Sequence, residues 1–260
     1  MKEIKSETKL VISFLLGIIK TPYTLILVLL GKRSFSDVTR PFSDLIEGLL
    51  EPKFTVSIIS VLVLSFIASL FLTAEVLDML ALYPSDFLGS GFYSLFTHGF
   101  LHAGIGHLLS NILIIYVFGR ILENELGAEK TAVIYFFGLV FAAFFSSVIN
   151  LYQGVNVGAV GASGAAMALV ASGILLRPFN LSYLMIIPVP IFIIGWLAII
   201  SDVTGVLNAT QDGIGYFAHI GGFISAFIML LAVGEKENVI TGIIINMILA
   251  IIFILAVMYL

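Results

Sequence analysis

Residues 131–149 read TAVIYFFGLVFAAFFSSVI, nineteen residues without a charged side chain. A helix that crosses the hydrocarbon core of a bilayer needs about 20 mostly apolar residues, because each residue rises by about 1.5 Å. Further long apolar runs cover residues 54–73, 104–119, 163–176, 183–200, 214–233 and 239–260. These runs are continuous and do not alternate with a period of two, so they predict membrane helices rather than the strands of a barrel.

The composition points to the same class of protein. The 260 residues are 60% hydrophobic and 11% charged, and the mean hydropathy is +1.16. Soluble domains carry about 25% charged residues, so a water-soluble globule is excluded. The apolar content and a net charge of −4 also argue against a disordered chain or a nucleic-acid-binding protein. Because the chain has no cysteine, disulfides, thiolate catalysis and cysteine-ligated metals are excluded.

The positions of Lys and Arg predict the orientation in the membrane. From residue 32 onward, every basic residue precedes the first core helix or follows the second, fourth or sixth. The loops at 74–97, 150–162 and 201–213 contain none and are therefore expected on the extracytoplasmic side. We expect an all-α, multi-pass protein of the cell membrane, with a six-helix core over residues 54–233 and an additional transmembrane helix in residues 234–260.

Residues 1–53 are expected to form a cytoplasmic or interfacial region that contains a hydrophobic segment, residues 10–30. This segment is long enough to cross a membrane, but Lys20, Thr21 and Pro22 interrupt its centre and both of its flanks are basic. A single crossing would place one basic cluster outside, against the pattern of the other loops. An interfacial or re-entrant segment is therefore favoured over an eighth span.

Residues 158–166, GAVGASGAA, lead from a predicted outer loop into the fourth helix. A helix over residues 163–176 is only about 21 Å long. If Arg177 lies at the cytoplasmic face, Ser163 is expected roughly 10 Å below the outer surface of the hydrocarbon core. Small residues in membrane helices often indicate close packing alone. A catalytic serine is the alternative, although Ala165 departs from the G-x-S-x-G pattern of soluble hydrolases.

The four histidines all lie at the outer ends of predicted helices, where ionisable side chains are expensive and point to function. His219 lies near the outer start of the sixth helix, and Ser163 begins the fourth, so the two can be level if these helices are neighbours. Small residues at Gly215, Ala218 and Gly222 would allow a close approach. A neutral imidazole could then accept the serine proton and later return it to a leaving amine.

A third group lies at the start of the second helix. His107 and Asn111 are four residues apart and share one helical face. Both can donate a hydrogen bond to a developing oxyanion, as can the backbone N–H of Ser163. His102 precedes the regular helix and is expected to brace the loop. A zinc site at His98 and His102 is disfavoured, because no H-E-x-x-H pattern occurs.

Acidic residues give no support to two other classes of membrane protein. An aspartyl protease would need two carboxylates inside the membrane, whereas Asp202 and Asp212 are predicted in the outer loop at 201–213. A transporter is disfavoured because no internal repeat is visible and no acidic side chain is predicted in the membrane. Neither a metal nor another cofactor is expected.

Three motifs follow one another along the chain: FTHGFLHAGIGHLLSN at 96–111, GASG at 161–164 and AHIGG at 218–222. Together they resemble the motifs of the rhomboid intramembrane serine proteases, over about residues 54–233. The resemblance implies a six-helix bundle, a water-filled cavity open to the outside, and a Ser–His dyad without a catalytic Asp. It also implies a structural role for Glu123, in the sequence GRILE after the second helix.

Position by position, the resemblance makes Ser163 the nucleophile and His219 the base. His107, Asn111 and the Ser163 amide would form the oxyanion hole. The residues that the resemblance places around this site in supporting roles are His102, Gly161, Gly164, Gly222 and Met167.

The sequence departs from the family pattern in three places. Tyr93 and Ser94 stand where many bacterial members carry Trp-Arg, and Met167 stands where a Tyr often packs on the catalytic histidine. Ala226 stands where Gly is common. None of these changes removes a reacting atom, so activity is expected.

The sequence thus predicts a serine endopeptidase of the lipid bilayer that cleaves single-pass membrane proteins near the extracytoplasmic face. The fifth helix, residues 184–200 with Trp196, is by resemblance a lateral gate for the substrate. The alternative is a pseudoprotease of the same family, which binds or escorts membrane proteins without cleaving them. Such proteins usually lack the serine or the histidine, and this chain retains both. No nucleic-acid or metal partner is expected.

Overall fold

The computed structural model describes residues 7–185, 187–208 and 215–259. The α-helices within these ranges are α1 (Glu7–Leu29), α2 (Ser36–Leu50), α3 (Lys53–Ser69), α4 (Ala74–Leu80), α5 (Ser94–Thr97), α6 (Ile105–Leu126), α7 (Ala128–Tyr152), α8 (Ser163–Leu176), α9 (Ile191–Leu207), α10 (Tyr216–Ala232) and α11 (Lys236–Tyr259). A short antiparallel hairpin of β1 (Leu181–Met185) and β2 (Ile187–Pro190) connects α8 to α9.

The long helices have the length and composition of membrane spans. Among the described residues, four helices pass this test, namely α1, α6, α7 and α11. Helices α2 and α3 pass it as a pair that is bent by 83° at a short break. Helices α8, α9 and α10 are shorter but equally apolar. The chain is therefore a multi-pass, all-α membrane protein, which confirms the class predicted from the sequence.

Helix α8 lies at the centre of the bundle, and helices α6, α7, α9, α10 and α11 all pack against it. Small residues make this packing possible. Gly164 of α8 faces Ala142 of α7, and Ala168 of α8 faces Gly138 of α7. A Cβ atom on Gly222 of α10 would overlap the carbonyl oxygen of Gly164. In lipid, no hydrophobic effect drives helices together. The van der Waals contacts between closely packed backbones therefore stabilise their association.

Helices α6, α8 and α10 all begin at the same end of the bundle. Gly161, just before α8, lies against His107 in the first turn of α6, and the first turns of α8 and α10 are also in contact. At the other end, the guanidinium of Arg177 binds the carboxylate of Glu125 near the end of α6, with an Nη2–Oε1 distance of 2.6 Å. The three helices therefore run parallel, and their first turns converge.

Glu123 of α6 fixes the start of α3. Its Oε1 atom accepts a hydrogen bond from the N–H of Phe54 at 3.0 Å, and its Oε2 atom accepts from the N–H and the hydroxyl of Thr55, each at 3.0 Å. The first N–H groups of a helix lack partners within the helix and favour a negative charge. The contact gives Glu123 the structural role that the family resemblance implies.

Of the segment 10–30, all residues up to Leu29 lie within one continuous helix, α1, that is long and apolar enough to cross a membrane. This helix packs antiparallel to α2, because Gly17 faces Pro41 while Leu10 faces Gly48. The interfacial or re-entrant placement of the segment stays a prediction.

The fifth core helix lies further along the chain than the sequence predicts. The apolar run predicts a helix over residues 183–200, whereas α9 spans Ile191–Leu207 and a β-hairpin occupies the preceding residues. Pro188 and Pro190 explain this shift, because proline has no N–H to donate and is tolerated in a helix only near its start. The predicted placement of Asp202 in a loop is therefore wrong, because this residue lies inside α9.

Helix α11 closes the bundle beside α8 and α9. The indole N–H of Trp196 donates to Oδ1 of Asn246 at 2.9 Å, and Nδ2 of Asn246 donates to the carbonyl oxygen of Ile174 at 3.0 Å. Gly242 allows the close contact, since a Cβ atom there would overlap the carbonyl oxygen of Leu175. The additional helix thus holds Trp196, the residue that the resemblance places in a lateral gate.

Replacing Glu123 with Ala should destabilise the protein by about 2–4 kcal/mol, because hydrogen bonds to a charged group are strong and buried donors would lose their acceptor. Glu125→Ala is the matched control on the same helix. It removes a partly exposed ion pair to Arg177 and should cost less than about 1 kcal/mol. Thermal unfolding in detergent micelles measures both losses. Equal losses would contradict a capping role for Glu123.

Candidate active site

Ser163 is the first residue of α8, and the backbone just before it depends on glycine. Gly161 has a φ of +122°, a conformation that side chains with a Cβ atom rarely adopt. A Cβ atom there would also lie only 2.7 Å from Cε1 and 2.8 Å from Nε2 of His107. The N–H of Gly161 donates to the carbonyl oxygen of His98 at 2.9 Å. The loop that delivers Ser163 therefore lies directly against the start of α6.

The loop before Ser163 is bound to the other segment predicted outside the membrane on this side of the chain, residues 74–97. Leu82 and Ala159 exchange two backbone hydrogen bonds, of 3.0 and 2.9 Å. The Nδ1 atom of His98 is 2.8 Å from the carbonyl oxygen of Ser94, to which it donates. Burial lowers the pKa of His98 to about 4, so its ring is neutral at pH 7. His98 is thus a structural histidine that connects residues 74–97, through Ser94, to the loop before Ser163, through Gly161.

His219 lies in the first turn of α10 and is 9% exposed. The carbonyl oxygen of Ala218 is 3.6 Å from the position that a Cβ atom on Gly164 would occupy, and Gly222 contacts the carbonyl of Gly164 one turn later. This turn of α10 therefore lies beside Ser163. Within the described part of the chain, the Ser163 hydroxyl makes no hydrogen bond; contacts between catalytic groups often tighten only when substrate is bound.

His107 and Asn111 present polar groups to the same loop. Asn111 is 4% exposed, and its Nδ2 atom donates to the carbonyl oxygen of His107 at 2.9 Å. The Nδ1 atom of His107 accepts from the N–H of Ala103 at 3.4 Å, which places the proton of a neutral ring on Nε2. That Nε2 atom lies 2.8 Å from the position that a Cβ atom on Gly161 would occupy.

His102 packs beside His107, with ring centroids 5.2 Å apart in an edge-to-face arrangement. Burial, and then the nearby His107, lower the pKa of His102 to about 4. Neither ring nitrogen of His102 has a hydrogen-bond partner among the described residues, so its bracing role stays a prediction. Among the residues that the structure describes, no three His, Cys, Asp or Glu side chains are grouped to hold a metal ion.

The two departures from the family pattern near the serine lie within packed helices. Met167 is half-buried one turn after Ser163, and its Cβ is 3.0 Å from where a Cβ atom on Gly222 would lie. Ala226 is fully buried in α10. Met167 therefore fits the contact between α8 and α10, and Ala226 fits the core.

The structure adds one residue that the sequence analysis did not assign to the site. Oδ1 of Asp202 lies 2.8 Å from Nδ1 of His219, and Asp202 is only 4% exposed. The resemblance implies no such carboxylate. The available signal was the pair Pro188 and Pro190, since a helix that begins after them includes residue 202. Asp212, predicted in the same loop, lies outside the described residues.

Fold and site define a helical membrane protein in which a serine and a histidine lie at the same end of two contacting helices. The family model for the Rhomboid domain matches residues 89–236, more than half of the chain. The chain belongs to the rhomboid family. Ser163, His219 and both predicted oxyanion donors lie within the matched region.

Two curated relatives from Arabidopsis thaliana are similar to this chain. "RHOMBOID-like protein 12, mitochondrial" is 29% identical over 152 residues, which are 53% of this chain and 45% of the relative. "RHOMBOID-like protein 1" is 31% identical over 138 residues, which are 53% of this chain and 33% of the relative. The alignments thus span less than half the length of either relative.

Gly161→Ala should destabilise the protein more than Gly154→Ala. Both glycines have a positive φ, at +122° and +71°, so both variants carry a backbone penalty of about 1–2 kcal/mol. Only the first also drives a methyl group into His107, which adds about 1–3 kcal/mol of overpacking. Thermal unfolding of the two variants in the same detergent measures the difference. Equal destabilisation would contradict the contact between Gly161 and His107.

Proposed function

We propose that this protein is an intramembrane serine endopeptidase in which Ser163 is the nucleophile and His219 the general base. The observation that carries the proposal is the close contact between the first turns of α8 and α10, the turns to which these two residues belong. Membership of the rhomboid family supports the same chemistry. The further support is a group of hydrogen-bond donors on α6 that faces the loop before Ser163.

The reaction begins when Nε2 of His219 takes the proton of the Ser163 hydroxyl as its oxygen attacks a substrate carbonyl carbon. The negative charge that develops on the carbonyl oxygen is stabilised by the N–H of Ser163, by Nε2–H of His107 and by the amide of Asn111. The C–N bond then breaks, and His219 gives the proton to the leaving amine. Water, activated by the same histidine, hydrolyses the acyl-enzyme.

The location of Ser163 at the start of a membrane helix determines which kind of substrate can reach it. The carbonyl groups of a transmembrane helix are occupied by its own N–H groups, so a segment must unwind before a carbonyl can reach Ser163. Glycine or small residues near the end of a helix make unwinding easier. We therefore propose single-pass membrane proteins as substrates, cleaved in an extended segment next to the end of their helix.

The charges on the helix ends support an extracytoplasmic site in the cell membrane. Arg177, directly after α8, and Lys130, in the first turn of α7, lie at the end opposite Ser163, where they pair with Glu125 and Glu235. The loop before Ser163 has no basic residue. Since cytoplasmic loops are enriched in Lys and Arg, the proposed site opens to the extracytoplasmic side.

Ser163→Ala and His219→Ala should each reduce cleavage of a labelled single-pass substrate in liposomes at least about 10³-fold, because nucleophile and base act as a unit. The substrate should carry a glycine-containing segment at the outer end of its helix. Ser172→Ala is the matched control, since it removes a buried hydroxyl from the same helix away from the site. Mass spectrometry of the products gives the cleavage position.

Cleavage that survives in Ser163→Ala would refute the proposed nucleophile. A wild-type protein that binds the substrate and leaves it intact would instead favour the pseudoprotease, which holds membrane proteins without cutting them.

Asn111→Ala should lower kcat about 10²–10³-fold, the usual cost of losing one oxyanion donor, with a smaller change in KM. The substrate and liposomes are those of the first experiment. Ser110→Ala is the control, because Ser110 is the adjacent residue on α6 and its hydroxyl donates to the carbonyl of His107. A kcat within threefold of wild type for Asn111→Ala would remove this residue from the oxyanion hole.

A further inference from the structure

We infer that Asp202 is a positioning residue for the proposed reaction, so that the site works as a Ser–His–Asp arrangement rather than as a dyad. This inference rests on the proposed function, in which His219 is the base. It starts from the hydrogen bond of 2.8 Å between Oδ1 of Asp202 and Nδ1 of His219.

The surroundings of Asp202 make a purely structural role a poor explanation of its presence. A buried carboxylate in a membrane helix is expensive unless it is paired. Structural carboxylates usually bind helix N–H groups or a basic side chain, as Glu123 and Glu125 do here. Asp202 instead has His219 as its hydrogen-bond partner, and Oδ2 has no partner among the described residues. The hydrogen bond to the imidazole is the contact that the described residues provide for this buried carboxyl group.

The packing of α9 against α10 holds the pair in register. Gly205, one turn after Asp202, admits the ring of Tyr216, which lies one turn before His219. The two contacts are consecutive along antiparallel helices, so a slip of α9 would break both. Further back, Gly195 lies against Ile174 of α8. Asp202 is therefore delivered by a helix that is itself fixed to the helix of the serine.

The hydrogen bond determines where the proton of a neutral His219 resides. A carboxylate only accepts, so Nδ1 must carry the proton and Nε2 must present its lone pair. When Nε2 takes the proton of Ser163, the ring becomes an imidazolium, and Asp202 stabilises that charge while remaining ionised. The proton later leaves Nε2 for the amine, and the bond to Asp202 stays in place throughout.

The decisive variant is Asp202→Asn, which preserves size but can donate its amide N–H to Nδ1 and so favour the tautomer that blocks Nε2. For cleavage of the same substrate in liposomes, we expect kcat to fall at least about 100-fold and KM to stay within about threefold. Asp37→Asn is the matched control, because Asp37 lies on α2 and pairs with Arg40 at 3.2 Å. Thermal unfolding of each variant verifies that the bundle is intact.

A second readout does not depend on activity. In protein labelled with ¹⁵N-histidine, the NMR signals of His219, assigned by comparison with His219→Ala, should show the Nδ1–H tautomer in the wild type. That tautomer should be lost in Asp202→Asn. A structural contact that did not orient the ring would leave the tautomer unchanged.

The outcomes separate this inference from the function on which it rests. If Asp202→Asn cleaves within threefold of wild type while Ser163→Ala is inactive, the inference is overturned and the protease stands. If the wild type cleaves nothing, the proposed function fails, and the tautomer of His219 still decides whether Asp202 orients the ring. An Nε2–H tautomer in the wild type overturns the inference in either case.

Discussion

The backbone contact between α8 and α10 at Gly164 and Gly222 is the constraint on which the rest of the site depends. A serine and a histidine on separate membrane helices can react together only if the two backbones nearly touch, and any side chain at Gly222 would prevent this. Lipid gives such helices little reason to associate, so packing of small residues must hold them. The parallel course of α6, α8 and α10 then places the oxyanion donors at the same end.

The loop before Ser163 and the ring of His219 are each held by groups from other parts of the chain. Gly161 adopts a left-handed conformation beside His107, and its N–H is bound by the carbonyl of His98. Asp202 reaches His219 from α9, and α11 fixes α9 through Trp196. Buried polar groups that are fixed in this way need little reorganisation when charge develops, which is the basis of electrostatic catalysis. The helices that pack against α8 thus fix the position of its first turn.

The sequence predicts the membrane class and most helices correctly, because long apolar runs have few other solutions in lipid. Its motifs also select the serine and histidines that the fold brings to one end. It places the fifth helix too early, because hydropathy does not distinguish the apolar hairpin before Pro190 from the helix after it. Because of that error, the contact between Asp202 and His219 was not predicted. Register between two helices depends on tertiary packing, which no local pattern in the chain reveals.

The most direct test of the account is to find where a fluorophosphonate, which reacts with activated serines, attaches to the protein. Wild-type protein in liposomes would be treated, digested and analysed by mass spectrometry. A single adduct on Ser163 that disappears in His219→Ala is the predicted result, because the hydroxyl is nucleophilic only beside its base. An adduct on any other serine, or none on folded protein, would contradict a hydrolytic site at the start of α8.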